Sequence, residues 1–190
     1  MAVTSPVLEL FRSSGALLEG HFRLSSGLHS GGYLQCALVL QHPAHAETLG
    51  RALGDRLRSA GATVVLSPAI GGLIIGHEVA RALGVRAIFA ERVEKALTLR
   101  RGFSLSSDDR VVVIEDVVTT GLSTRETIAV AEAAGANVVA AGSIIDRSGG
   151  TSSLGVPYHA LETLSLPTYQ PEECPLCRQG TPVTKPGSRR

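Results

Sequence analysis

The sequence predicts an α/β fold in which a central, mostly parallel sheet is covered by helices on both faces. Short apolar, β-branched runs alternate with amphipathic stretches of about 10 to 15 residues through the middle of the chain, the pattern of right-handed strand-helix-strand units. Glycine and proline punctuate the runs where helices stop and strands turn. The composition agrees: 190 residues, 44% apolar and 18% charged, suit one folded domain with at most a small appendage.

Ser5-Pro6 is a helix cap followed by proline at the first helical position, and Val7, Leu8, Leu10 and Phe11 keep an apolar face until Gly15. Two extended runs, 22–24 and 33–40, follow; Ser25-Ser26-Gly27 and Gly31-Gly32 separate them, and they read as a small layer outside the core. From Pro43, helical spacing of Ala46, Leu49, Leu53 and Leu57 predicts a helix stopped by Gly61. A strand over 63–67, a turn over 68–72, a helix over 73–83 closed by Gly84 and a strand over 86–90 come next. After a polar stretch the cycle repeats, with a buried strand over 111–114, a helix over 123–134 ending at Gly135 and a strand over 137–145. The last twenty residues, with Pro171, Pro175, Pro182 and Pro186, read as an irregular tail.

Eighteen basic and seventeen acidic residues leave a net charge of +1, so no global field recruits nucleic acid or an anionic membrane, and a bound anion must be held locally. Three cysteines, Cys36, Cys174 and Cys177, are too few for a disulfide framework and point to a reducing compartment. No basic start with a sustained apolar run marks a signal peptide, and the longest uncharged stretch, 59–77, is broken by Pro68 and four glycines. The expected location is the cytoplasm.

The most informative segment runs from Val111 to Thr124: four apolar residues, Glu115-Asp116, Val117-Val118, Thr119-Thr120-Gly121, then Leu122-Ser123-Thr124 at a helix start. Ligands of an open parallel sheet bind beyond the carboxyl ends of its strands. There, Thr119, Thr120, Gly121, Ser123 and Thr124 offer hydroxyl and backbone N–H donors where the helix dipole favours a phosphate. Glu115 and Asp116 repel phosphate but accept hydrogen bonds from vicinal ribose hydroxyls, so the loop suits a ribose 5-phosphate. The bland alternative is an ordinary strand end with a capped helix. Neither a G-x-x-x-x-G-K-[ST] nor a G-x-G-x-x-G motif competes for the phosphate.

This segment resembles the phosphoribosyl diphosphate (PRPP) loop of the type I phosphoribosyltransferases. Residues 20–30, Gly-His-Phe-Arg-Leu-Ser-Ser-Gly-Leu-His-Ser, with Tyr33 after them, resemble the hood of the orotate phosphoribosyltransferases, and Ile144-Ile145-Asp146-Arg147 resembles that family's strand whose arginine holds the base. A planar guanidinium is the apt reader of the carboxylate that orotate carries and uracil lacks; the plainer reading of Arg147 is a surface ion pair. Leu99-Arg100-Arg101-Gly102-Phe103 and the Cys-Pro-Leu-Cys tail are similar to those of a short bacterial subgroup.

The resemblance implies a type I phosphoribosyltransferase fold, with a core over about 43–145, a hood from about 20–40 and 146–170, and the tail 171–190. It implies PRPP contacts from Glu115, Asp116, Val117, Val118, Thr119, Thr120, Gly121, Leu122, Ser123 and Arg92, orotate contacts from Thr119 and Arg147, and Mg²⁺ carried mainly through PRPP with no protein ligand assigned. It further implies a homodimer whose lid reaches the neighbouring subunit's site. The charged stretch 91–110 is long for a connection and reads as that lid, with Lys95, Arg100 and Arg101 as its catalytic candidates and a solvated charged loop as the alternative. Two family lysines are absent: Ser25 occupies the hood position and Gly71 the turn 68–72, so Arg92, Lys95, Arg100 and Arg101 are expected to supply the charge a leaving diphosphate needs. The lid also lacks the family's histidine. Two other functions stay open, transfer to another base and a PRPP-sensing regulator that binds nucleic acid.

Cys174-Pro175-Leu176-Cys177 is half of a Cys₄ zinc site whose second half is missing from the sequence, with His159 the nearest histidine, so zinc would need a knuckle from a partner subunit. Two reduced thiols on a tail turn are the simpler expectation. His42 and His45, lacking a third ligand, read as structural or exposed.

Overall fold

The computed structural model describes residues 5–24 and 26–186, which form two compact units. The larger, residues 40–164, holds a six-stranded sheet. The smaller joins residues up to 39 with those from 165 onward.

The chain opens with α1 (Pro6–Ser13), where the Ser5 hydroxyl accepts from the Val7 N–H at 3.3 Å. β1 (Leu17–Arg23) and β2 (His29–Leu34) then form an antiparallel hairpin. Its register shifts by one residue between Glu19 and Phe22, so Gly20 and His21 together oppose one residue of β2, a bulge that re-aims side chains. Residues 36–40 are the helix α2 (Cys36–Leu40), where an extended run was expected. A five-residue apolar run satisfies either period, and burial of Cys36, Val39 and Leu40, three and four apart, decides for the helix.

In the larger unit α3 (Pro43–Leu57), β3 (Val64–Pro68), α4 (Gly72–Leu83) and β4 (Arg86–Val93) follow the expected order. β5 (Ala96–Leu99) turns back antiparallel on β4, and β6 (Arg110–Val118), α5 (Leu122–Ala133), β7 (Asn137–Asp146) and β8 (Tyr158–Thr163) complete the unit. The order across the sheet is β5-β4-β3-β6-β7-β8, parallel from β4 to β8. Val64, Leu66, Val111 and Val113 share a core with Ile128 and Ala131 of α5 on one face. Ile114, with Gly142 of β7, meets Leu53 and Leu57 of α3 on the other. Burial on both faces explains the unbroken apolar strands. Ile144 is fully buried in β7, and Ile144→Val is expected to cost about 0.5–1.5 kcal/mol in denaturant unfolding, the removal of one methylene from a packed core.

Between Val111 and Val112 the β6–β7 pairing slips by one: Val111 faces Val138, but Val112 faces Ala140. The offset then holds to the strand ends, where Val118 pairs with Asp146.

Three readings of the sequence change here. The stretch 91–110 is not an irregular loop: Leu97 is buried, Leu99, Phe103 and Leu105 pack on the core, and Arg86 grips Asp109 through both carboxylate oxygens at 2.8 and 2.9 Å. Residues 146–164 fall in the larger unit, because β8 adds to the sheet edge beside β7. The tail is ordered through residue 186. β9 (Thr168–Tyr169) pairs with β2, a 3₁₀ turn over Pro171–Glu173 leads into α6 (Pro175–Arg178), and Thr184 bridges to Phe22 of β1. Prolines at helix starts explain how a proline-rich segment stays ordered. Ser25 and residues 187–190, which include the closing Arg-Arg pair, lie outside the described residues.

Candidate active site

β6 continues past Ile114 and carries both acids within the strand. Successive residues of a strand point to opposite faces, so the pair is divided between two environments. Glu115 lies on the α5 side, is 8% exposed, and lines a cavity of about 230 Å³ with residues 117–124. Its Oε2 is buried without a hydrogen-bond partner. Burial first, and the neighbouring Asp116 charge second, push its pKa up to about 8. Asp116 faces the turn after β3: a Cβ on Gly71 would lie 2.9 Å from Asp116 Oδ1, a distance only glycine avoids. That oxygen also accepts the Val117 N–H at 2.8 Å.

Beyond β6, Thr119 and Thr120 are exposed and Gly121 turns the chain at φ 77°, a left-handed conformation that favours glycine. α5 then starts without a side-chain cap. Its first regular bond runs from the Arg125 N–H to the Gly121 carbonyl at 2.9 Å. The Leu122 N–H donates to the Thr120 hydroxyl at 3.4 Å, the Ser123 and Thr124 N–H groups belong to the first turn ahead of the regular bonds, and all three residues line the cavity. Glu115, Val117, Val118, Thr119, Thr120, Gly121, Leu122 and Ser123 thus surround one space, with a carboxyl at one end and anion-favouring donors at the other.

Arg147 follows β7 directly. Its N–H donates to the Val118 carbonyl at 2.7 Å, which extends the strand pairing by one residue and sets Arg147 beside the loop. The next segment folds over the same loop: the Ser152 hydroxyl donates to the Thr119 carbonyl at 3.3 Å, and Arg125 Nη1 to the Ser153 carbonyl at 3.2 Å. Sequence reading missed these two contacts. An arginine on the fourth residue of a helix and serines in a polar loop carry no distinctive pattern.

The four expected lid cations divide. Arg92 donates to the Lys95 carbonyl at 2.6 Å and pairs with Glu126 of α5, so it is tethered to the helix that starts at the cavity. Arg101 makes a two-pronged contact with Glu91 at 2.9 and 2.7 Å and lies 5.8 Å from the centre of the Phe89 ring. The Arg101 guanidinium holds the Glu91 carboxyl below its ordinary range. Two of the four charges are thus met by acids of the same unit. Lys95 stands exposed at the tip of the β4–β5 hairpin, and Arg100 is exposed where β5 ends.

Residues 37–156 match the phosphoribosyl transferase domain. The chain is 52% identical to the orotate phosphoribosyltransferase of Pelotomaculum thermopropionicum, with 97% of each chain covered. It is 55% identical to that of Heliobacterium modesticaldum over 96% of this chain and 97% of the other. The crystal structure of orotate phosphoribosyltransferase from Aeropyrum pernix superposes with a TM-score of 0.69 at 26% identity, covering 83% of this chain and 93% of that one. Similarity over nearly the whole length, joined to a cavity lined by Glu115 and the start of α5 at the end of a parallel strand, means that the chain belongs to the orotate phosphoribosyltransferases.

Proposed function

We propose that this chain transfers the 5-phosphoribosyl group from PRPP to orotate, giving orotidine 5′-monophosphate and diphosphate in pyrimidine biosynthesis. The observation that carries the reading is the cradle from Glu115 to Ser123 with Arg147 in register beside it. In this assignment the first-turn N–H groups of α5, with Thr119, Thr120 and Ser123, take the 5-phosphate. Glu115 and Asp116 accept the ribose hydroxyls, and Arg147 takes the orotate carboxylate, with Thr119 near the base. Hydroxyl donation to Glu115 would give its buried Oε2 the partner it lacks.

The reaction breaks the bond between the anomeric carbon and diphosphate as the base nitrogen attacks, so negative charge builds on the leaving oxygens. Mg²⁺ suits the hard oxygen donors of Asp116 and PRPP itself and would supply neutralisation of that charge. Gly71 leaves room for the diphosphate beside Asp116, and no lysine competes there. Lys95 and Arg100 of the 91–110 stretch would supply further positive charge, while Arg92 and Arg101 exchange their acid partners Glu126 and Glu91 or stay as anchors. Among the described residues no helix is long and apolar enough to cross a membrane.

Purified protein with Mg²⁺ is expected to consume PRPP when orotate is added and not when uracil or adenine replaces it. Turnover with either of those bases and none with orotate would overturn the assignment. Binding of DNA or RNA with a steep salt dependence and no turnover would instead mark a regulator. The enzyme is expected to be a homodimer that shares its lid. Mixing an Arg100→Ala, Arg101→Ala variant with Asp116→Asn should recover up to about a quarter of wild-type activity per mixed population, through hybrid dimers with one intact site. No recovery in demonstrably mixed dimers would place each lid over its own site.

A further inference from the structure

The knuckle Cys174-x-x-Cys177 finds its missing half within its own chain, and not in His159. His21 of β1 and His29 of β2, eight positions apart across the hairpin turn, meet the two cysteines, and the four potential ligand atoms lie within 4.8 Å of one another. His21 Nε2 is 2.8 Å from His29 Nδ1 and 3.5 and 3.7 Å from the Sγ atoms of Cys174 and Cys177; Cys177 Sγ is 3.3 Å from His29 Nδ1. A tetrahedral zinc with ordinary Zn–N and Zn–S lengths has ligand-to-ligand edges of about 3.3 to 3.8 Å. Of the six edges, three of the four quoted already fall in that range, the fourth needs to open by about half an ångström, and the two from Cys174 to Cys177 and to His29 are at most 4.8 Å.

The surroundings are those of a ligand set. His21, His29 and Cys174 are 3%, 6% and 0% exposed, so three of the four groups are withdrawn from water. His21 Nδ1 lies 2.8 Å from the Thr181 carbonyl, an acceptor, which puts the ring proton on Nδ1 and turns the Nε2 lone pair toward the sulfurs. The bulge in β1 is what aims His21 inward. No carboxylate joins the cluster, so its donors are two imidazoles and two sulfurs, the set that prefers Zn²⁺ to Mg²⁺ or Ca²⁺.

We propose that His21, His29, Cys174 and Cys177 bind one Zn²⁺ as a closed, four-ligand structural site. With all four positions filled by protein, no open position remains for a substrate or water, which separates this site from the phosphoribosyl transfer. The ion would clasp the β1–β2 hairpin to the C-terminal segment, ends of the chain more than 150 residues apart in sequence. Backbone contacts already trace this junction: the Thr184 N–H donates to the His21 carbonyl and the Arg23 N–H to the Thr184 carbonyl, both at 2.8 Å. Closing so long a loop by hydrogen bonds alone is entropically costly, and metal ligation offsets that cost.

Full-length protein produced in zinc-supplemented medium and passed through metal-free buffer with a reductant is expected to retain one zinc per chain by elemental analysis. Cys36→Ser should keep it, and Cys174→Ser with Cys177→Ser should lose at least nine-tenths of it. Because the double variant could fail to fold, cobalt titration of metal-stripped wild-type protein provides the second measurement. One equivalent of Co²⁺ should give thiolate charge-transfer absorption with the intense visible bands of tetrahedral coordination, and one equivalent of Zn²⁺ should abolish both. Zinc removal should also lower Tm by more than about 5 °C. Wild-type protein that holds no zinc and gives no tetrahedral cobalt bands would overturn the site, as would two thiols that react equally fast with and without zinc.

Discussion

Glu115→Gln combined with Asp116→Asn is expected to lower kcat/KM for PRPP by about 10²- to 10³-fold while the protein stays folded. In the proposed assignment Asp116 accepts a charge-assisted hydrogen bond from a ribose hydroxyl, worth about 1.5–3 kcal/mol, and Glu115, which keeps its proton near neutral pH in the free chain, accepts an ordinary one worth about 0.5–1.5 kcal/mol; amides recover only part of either. Glu115 lines the cavity and Asp116 lies against Gly71 of the 68–72 turn, so the two are expected to serve different hydroxyls. Amides keep the shape of the side chains they replace, and the strand pairing of residues 115 and 117–118 does not involve side chains. Steady-state rates at saturating orotate with PRPP varied, beside a thermal melt of the same sample, separate the two effects. A double variant with unchanged kcat/KM would remove the ribose from this end of the loop.

The second large effect is on stability as a function of pH. The Glu115 carboxyl, pushed up to about 8 in the folded chain, keeps its proton at pH values where the unfolded chain, near 4.5, has lost it. The folded state therefore binds more protons between those values. The associated stabilisation is complete below about pH 4.5 and is lost as pH rises to 8, by up to about 1.4 kcal/mol per unit and a few kcal/mol in all. Glu115→Gln has no proton to lose. Its buried amide brings an unmet N–H₂ of its own, which lowers the whole curve by about 1–3 kcal/mol. The diagnostic is the slope: Tm of the variant minus Tm of the wild type should rise by about 5–10 °C from pH 5 to pH 8.5 in calorimetry without ligands. Parallel curves would show that Glu115 ionises in the ordinary range.

What the sequence disclosed follows from which forces act locally. Parallel strands buried on both faces need continuous apolar runs, so Val111 to Ile114 announced their strand, and the glycine and hydroxyls after them announced the turn into α5 that closes the cavity. Where that strand ends was hidden. Glu115 and Asp116 look like a loop, and only pairing with Ser143 and the residues after it keeps them in the sheet. The 91–110 stretch misled in the same way, because its apolar residues, Leu97, Phe103 and Leu105, are scattered among charges and find the core only through tertiary packing. Nor does composition show that Arg101 is committed to Glu91, ten residues away. The histidines facing the Cys174–Cys177 knuckle stood in plain view within the hood pattern. The separation from Cys174, 153 residues for His21, is bridged by topology, which local spacing cannot express.

The single-residue slip between β6 and β7 has a consequence for how this gene can change length. Ahead of the slip the two strands count together, Val111 with Val138; after it β7 runs one residue longer, and that extra residue sets which way every later side chain points. Arg147 inherits its orientation from this phase, six positions beyond Ala141. Loss of one codon from 139–146 would turn it to the far side of the sheet without disturbing any residue of the phosphate loop. Loss of two would restore the phase and leave the arginine one strand repeat short of Val118. Tolerated insertions and deletions should therefore gather in the segment after Arg147 or before Asn137, where a counting error reaches no ligand.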